Sequence, residues 1–324
     1  MNTKRFLTPL LLGLFLASCS SPQNTGDTRN SQTPATAETS LRTLRLNDDG
    51  SLSNEEDLKQ LCRDIAARPQ TVVVFMHGWK GTAAISDSNV QNFMARLATV
   101  RGRTYQPGKR RLTGVYLTWN ARSLPGFIEV FAYPETRARA DTISQGDGIP
   151  RIIRALSKAQ RAHVGEHFVV TGHSFGGRIL GRAIGKNPEL LSDIDLVLLA
   201  NAADDADSGR RTISAVNSHP YQRRGLPRLV WVTSAKDTAT GVLFKMAGGR
   251  PAIGHDKALQ THVLRITKPT AHDPKYHGKI TRTANRLSPY AHNIIVDEGL
   301  GDHPDVWNEA MNTILNTYLL HDRD

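Results

Sequence analysis

The stretch Phe168-Val169-Val170-Thr171-Gly172-His173-Ser174-Phe175-Gly176-Gly177-Arg178-Ile179-Leu180 decides the fold. Its first residues are aromatic or β-branched without interruption, the pattern of a strand buried on both faces. After it, Ile179, Leu180, Ala183 and Ile184 mark one apolar face of a helix. Ser174 stands at the junction, with Gly172 and Gly176 two positions away on either side. A serine hydroxyl is a weak nucleophile and must be presented to a base. A sharp strand-to-helix turn presents it, and the crowding of such a turn requires small neighbours. The helix that starts there also aims amide N–H groups at developing negative charge.

The same strand signature recurs at Thr71 to Met76, Leu112 to Trp119, Asp195 to Ala200 and Leu229 to Thr233, with His262 to Thr267 a weaker sixth run. Helical patterns fall between them, at residues 55–67, Val90 to Val100, Ile149 to Arg161 and Phe175 to Lys186. Leu41, Leu44 and Leu46 suggest an early edge strand, and Asn293 to Val296 a short late one. Asp305 to Leu319 carries an apolar stripe on one helical face. Alternation of strand and helix predicts an α/β fold: a mostly parallel central sheet with helices on both faces.

A second motif precedes the first: Phe75-Met76 runs into His77-Gly78-Trp79-Lys80-Gly81. Together the two resemble the α/β-hydrolase superfamily of esterases, lipases and peptidases, over most of residues 70–320. The resemblance implies Ser174 as nucleophile, with the backbone N–H groups of Trp79 and Phe175 as oxyanion donors. It implies an acid after the Leu229–Thr233 strand, where Asp237 stands, to hold an imidazole tautomer. Asp204 and Asp205, one strand earlier, are the alternatives. The implied base is His303, in Gly299-Leu300-Gly301-Asp302-His303-Pro304, between the short strand and the final helix. Pro304 fits a first helical position, which makes His303 the cap. His272 is its main rival, followed by His292 and His255. The gap from Asp237 to His303 is long for the family. Residues 268–291, polar and interrupted by Pro269, Pro274 and Pro289, read as an excursion. If they belong to the core instead, His272 gains ground.

The activity implied is hydrolysis of a carboxylic ester through an acyl-enzyme, acting on a small acyl substrate with no cofactor and no metal. Asn201 to Pro227, where relatives carry a lid, is polar, which favours an esterase over a long-chain lipase. Trp79, Trp119, Phe127, Phe131 and Tyr133 are candidates for an acyl pocket or for core. The competing class is a catalytically inactive member of the fold that binds or scaffolds at the cell envelope.

The first residues read as a targeting segment. Lys4 and Arg5 precede the apolar run Leu10 to Ala17, and Leu16-Ala17-Ser18-Cys19 resembles the lipobox of bacterial lipoproteins. The expected organisation is a signal peptide at 1–18, an acylated Cys19 with a polar tether at 19–40, and one domain at 41–324. Ser20 and Ser21, with no Asp beside the cysteine, favour the outer membrane of a bacterial envelope. Of two cysteines, acylation leaves only Cys62, so the domain holds no internal disulfide. The formal charge of +11 favours anionic surfaces. Its basic residues are scattered and lack interleaved aromatics, which argues against nucleic acid. Oligomeric state has no signature.

Overall fold

The computed structural model describes residues 39–104, 111–121, 133–163, 167–219, 229–244, 251–267, 277–285, 288–298 and 309–320. The apolar runs form strands: β1 (Thr39–Arg45), β2 (Gln70–Met76), β3 (Arg111–Thr118), β4 (Phe168–His173), β5 (Leu196–Ala200) and β6 (Leu229–Ser234). Three more follow, β7 (His262–Thr267), β8 (His277–Arg282) and β9 (Ala291–Glu298). Among the described residues they make one nine-stranded sheet in the order β1-β3-β2-β4-β5-β6-β9-β7-β8. Every neighbouring pair is parallel except β7 with β8.

Successive side chains on a strand point to opposite faces, and the core divides accordingly. Val72, Val74, Met76, Phe168, Val170, Val197, Leu199 and Trp231 enter one cluster. Val169, Leu196, Leu198, Val230 and Val232 enter another. The first face is covered by α1 (Glu55–Ala66), α3 (Tyr133–Gln145), α4 (Gly148–Gln160), α5 (Phe175–Lys186) and α6 (Ala206–Ser218). The opposite face is covered by α2 (Ser88–Thr104), through Val90, Phe93 and Leu97, and by α7 (Glu309–Leu320), through Ala310, Met311 and Ile314. Each such side chain, fully buried, contributes about 1.5–3 kcal/mol of transfer free energy.

Local signals agree with these ends. Asn54 caps α1 by accepting the Glu56 N–H at 3.0 Å, and Glu55, Glu56 and Asp57 in the first turn favour the positive end of the helix dipole. Leu58, Leu61 and Ile65 then turn one stripe inward.

One expectation changes, and one helix is added that the sequence reading did not propose. Residues 268–291 are not simply an excursion beside the sheet, because His277–Arg282 pairs antiparallel with β7 as the sheet's outer edge. β9 then returns to lie on the inner side of that hairpin, between β6 and β7. The long gap after Asp237 is therefore filled by a strand pair, with β8 at the edge rather than in the centre. Tyr133–Gln145, which has no clear apolar period, is a helix that packs along α5.

Candidate active site

From β2 the chain moves to β3 on one side, and it returns at β4 on the other. The crevice between the carboxyl ends of β2 and β4 is thus a topological switch point, where open α/β sheets bind ligands. Both motifs end there. Ser174 directly follows β4, and His77 directly follows β2.

The serine is held in a conformation that side chains rarely adopt, with φ 54° and ψ −120°. Its surroundings enforce it. The Ser174 N–H donates to the Ala200 carbonyl at 3.1 Å, and the Ser174 carbonyl accepts from Ala203 at 3.0 Å and Arg178 at 3.1 Å. A Cβ on Gly176 would sit 2.1 Å from the Met76 carbonyl oxygen, and one on Gly78 would sit 2.7 Å from the Ser174 Cβ. The glycines are what let the two loops touch. Phe175 opens α5, so its N–H belongs to the helix-start amides that have no acceptor within the helix.

His77 is fully buried and ties the neighbouring loop. A carbonyl can only accept, so Nδ1 carries the hydrogen and donates to the Gly78 oxygen at 2.7 Å. Nε2 then accepts from the Trp119 N–H at 3.3 Å and pairs with the Thr118 hydroxyl at 3.1 Å. Burial pushes its pKa down to about 4, so the ring stays neutral while it holds the loop. Beyond it, the Lys80 N–H donates to the Ala121 carbonyl at 3.0 Å, which fixes the backbone next to Trp79. The Trp79 ring packs edge-on against Tyr133 and Phe175. Trp119 is core: it is buried and its Nε1 donates to the His77 carbonyl at 3.0 Å. Phe127 and Phe131 lie outside the described residues.

Asp237 follows β6 and is buried. Its Oδ1 accepts the Thr240 N–H at 3.0 Å and its Oδ2 accepts the Thr240 hydroxyl. The other acids are committed elsewhere. Asp204 binds Arg178 at 3.0 Å and Arg182 at 2.9 Å. Asp205 binds Arg182 at 2.9 Å and caps α6 through the Ser208 N–H at 2.8 Å. Asp141, on α3, completes this ionic cluster with both arginines. Burial alone would lower the Arg178 pKa, but its three aspartates outweigh it and hold the guanidinium above its ordinary value. Nothing in the sequence flagged this cluster, although the i, i+4 spacing of Arg178 and Arg182 on a helix face was visible.

Among the histidines, His303 and His272 lie outside the described residues, as does Cys19. His292 is at the start of β9, beside Val230 near the start of β6, so it occupies the opposite end of the sheet from Ser174. There its ring lies against that of His262, tilted by 35° with centroids 4.0 Å apart, and Nδ1 meets the Tyr318 hydroxyl at 2.8 Å. Burial, then the charges of His262 and Arg282, bring its pKa down to about 3. His255 lies near Asp237, with Nε2 3.2 Å from the Thr240 hydroxyl oxygen.

A stability prediction follows from His77 and His292. Both bind a proton less readily folded than at the ordinary histidine value of 6.5. Their contribution is therefore fully present above that value. It falls as the pH drops toward about 4 for His77 and about 3 for His292, while the unfolded chain takes up the protons. The urea midpoint should decline with acidification from pH 6.5, and less steeply in His292→Asn. Equal slopes in the two proteins would remove His292 from the account.

The strand order, the strained turn after β4 and the loop packed on it define an α/β-hydrolase fold. No family model matches the chain, and no curated protein matches it. Among solved structures, it is similar to the phospholipase PlaB from Legionella pneumophila, at TM-score 0.42 and 14% identity over 78% of this chain and 60% of that one. The chain thus spans less than two thirds of that protein's length. A Trichoderma reesei cutinase bound to a phosphonate inhibitor gives TM-score 0.27 and 15% identity over 46% of this chain and 67% of that one. TT1662 from Thermus thermophilus gives 0.34 and 12%, over 78% and 89%. These likenesses are remote, and residue roles rest on this chain's own geometry.

Proposed function

We propose that the chain is a serine hydrolase of carboxylic esters, with Ser174 as nucleophile, Asp237 as acid and His303 as base. The observation that carries this is the strained Ser174 turn (φ 54°, ψ −120°) seated against Gly78 at the switch point of the sheet. Strain of this kind costs on the order of 1–3 kcal/mol and persists where surrounding structure enforces it. In the reaction, the Ser174 oxygen attacks the acyl carbon while His303 takes its proton. The amides of Trp79 and Phe175 receive the oxyanion, and the protonated imidazole returns the proton to the leaving alcohol. Water then attacks the acyl-enzyme by the same route.

Topology supports the assignment of acid and base. β6, which precedes Asp237, lies directly beside β9, which precedes the segment with His303. β9 stands three strand positions from β4 and β7 stands four. At about 4.8 Å per strand, the segment with His272 leaves the sheet about one spacing farther from Ser174 than the segment with His303. The ionic cluster of Asp204 and Asp205 supports Asp237 as the acid. The stretch after β5 is polar, and its helix α6 carries Arg210 and Arg211, which supports a small acyl group.

The test is an alkyl fluorophosphonate followed by mapping of the labelled peptide. Label on the peptide containing Ser174, lost more in His303→Ala than in His272→Ala, supports the reading. No label, or label elsewhere, sinks it and favours an inactive scaffolding or binding protein.

For location, we propose a lipid anchor at Cys19 that holds the domain, at 41–324, on a bacterial outer membrane through the tether at 19–40. A polar tether of about twenty residues reaches roughly 25 Å, enough to stand the domain off a membrane. Cys19→Ser should move the protein from the membrane fraction to the soluble fraction. Membrane retention of that variant would count against the anchor.

A further inference from the structure

We infer that His255 is a positioning residue for the Asp237 carboxylate, acting through the hydroxyl of Thr240. This rests on Asp237 as the acid of the proposed hydrolase. Thr240 lies in a single wide helical turn, Ala239–Leu243, of the five-residue hydrogen-bond type that recurs at functional sites. It engages both carboxylate oxygens, the N–H on Oδ1 at 3.0 Å and the hydroxyl on Oδ2. A hydroxyl has one hydrogen, and here Asp237 receives it. The His255 Nε2, 3.2 Å from the same oxygen, must therefore be the donor. The result is a directed chain, His255 Nε2–H to Thr240 Oγ1–H to Asp237 Oδ2. Donation into the threonine oxygen strengthens the threonine as a donor in turn.

The histidine is held firmly enough for this role. Its segment is sewn to the loop after β5 by Ile253 N–H to Asp204 carbonyl (2.9 Å) and Ala206 N–H to Pro251 carbonyl (3.1 Å). Asn293 of β9 binds the Ile253 carbonyl at 3.0 Å, and Gln260 binds the Gly254 carbonyl at 3.0 Å. On its other side, a Cβ added to Gly241 would lie 3.0 Å from the His255 ring. The Thr240 N–H and hydroxyl thus orient both oxygens of the carboxylate.

The experiment compares His255→Leu with His255→Gln, whose terminal amide restores a donor near the Nε2 position, and Thr240→Val with Thr240→Ser. Turnover of a p-nitrophenyl ester and the rate of fluorophosphonate labelling are read, with Ser174→Ala in parallel. His255→Leu and Thr240→Val should lower kcat roughly three- to tenfold with KM unchanged, and the Gln and Ser variants should recover most of it. Unchanged kcat in His255→Leu overturns the inference. So do equal losses in the Leu and Gln variants, which would reveal packing alone, and a fall to the Ser174→Ala level, which would make His255 the base. Wild type that takes no label, or label that survives in Ser174→Ala, instead removes the serine-hydrolase reading on which the inference stands.

Discussion

Ser174→Ala should cut turnover of a small p-nitrophenyl ester by a factor of about 10⁴ to 10⁶, with KM little changed. The size of the effect follows from the division of labour at the switch point. In the proposed mechanism, removing the hydroxyl removes the attacking atom, while the amides of Phe175 and Trp79 stay in place to bind substrate. The fold should not notice. The contacts that enforce the turn are made by the backbone of residue 174, through Ala200, Ala203 and Arg178, and by the glycines around it. Alanine keeps the Cβ and the same backbone strain, so the melting temperature should stay within a few degrees of wild type. A fall in kcat smaller than about tenfold would mean that another nucleophile does the chemistry.

Arg178→Met should destabilise the domain by about 3–5 kcal/mol, a fall in melting temperature on the order of 10 °C. The guanidinium is wholly buried, one turn into the helix that Ser174 begins. It donates to Asp141 at 2.6 and 3.0 Å, to Asp204 at 3.0 Å and to the Ala203 carbonyl at 3.1 Å. Removing it leaves Asp204, which is itself buried, with Arg182 as its one cation among the described residues. The cost is chiefly that of an under-compensated buried charge rather than the worth of the bridges themselves. Arg178→Lys should recover only part of the loss, because an ammonium cannot present the forked donors that meet Asp141 through both oxygens. A melting temperature within 2 °C of wild type in Arg178→Met would show that the aspartates are satisfied without it.

The fold was legible wherever a residue's burial repeated along a segment. β2, β4, β5 and β6 are dominated by apolar and β-branched residues because both faces of a central parallel strand are covered. The turn at Ser174 was legible because its glycines answer a steric demand visible in sequence. α3 was not, since Thr136, Ala140, Ile143 and Ser144 bury a face that is half polar. β8 was not either: His277, Lys279 and Arg282 at an edge look like loop until a partner strand is supplied. The ionic cluster was hidden for a related reason. Asp141, Arg178 and Asp204 are far apart in sequence, and they meet only when α3 and the loop after β5 pack against α5. Position along the chain also hid the place of His292, which lies at the start of β9 and so at the end of the sheet away from Ser174.

The inward return of β9 fixes an order of assembly. During synthesis the β7–β8 hairpin emerges before the strand that joins it to β6, so both strands that β9 pairs with precede it in the chain. Insertion of one late strand closes both edges at once, through parallel pairs on either side. Such non-local pairing comes late and exposes unpaired edges meanwhile. The segment with His303 follows that strand directly, so completion of the sheet and arrival of the proposed base are one event. In the proposed hydrolase, a chain lacking its last forty residues would be missing both that strand and His303.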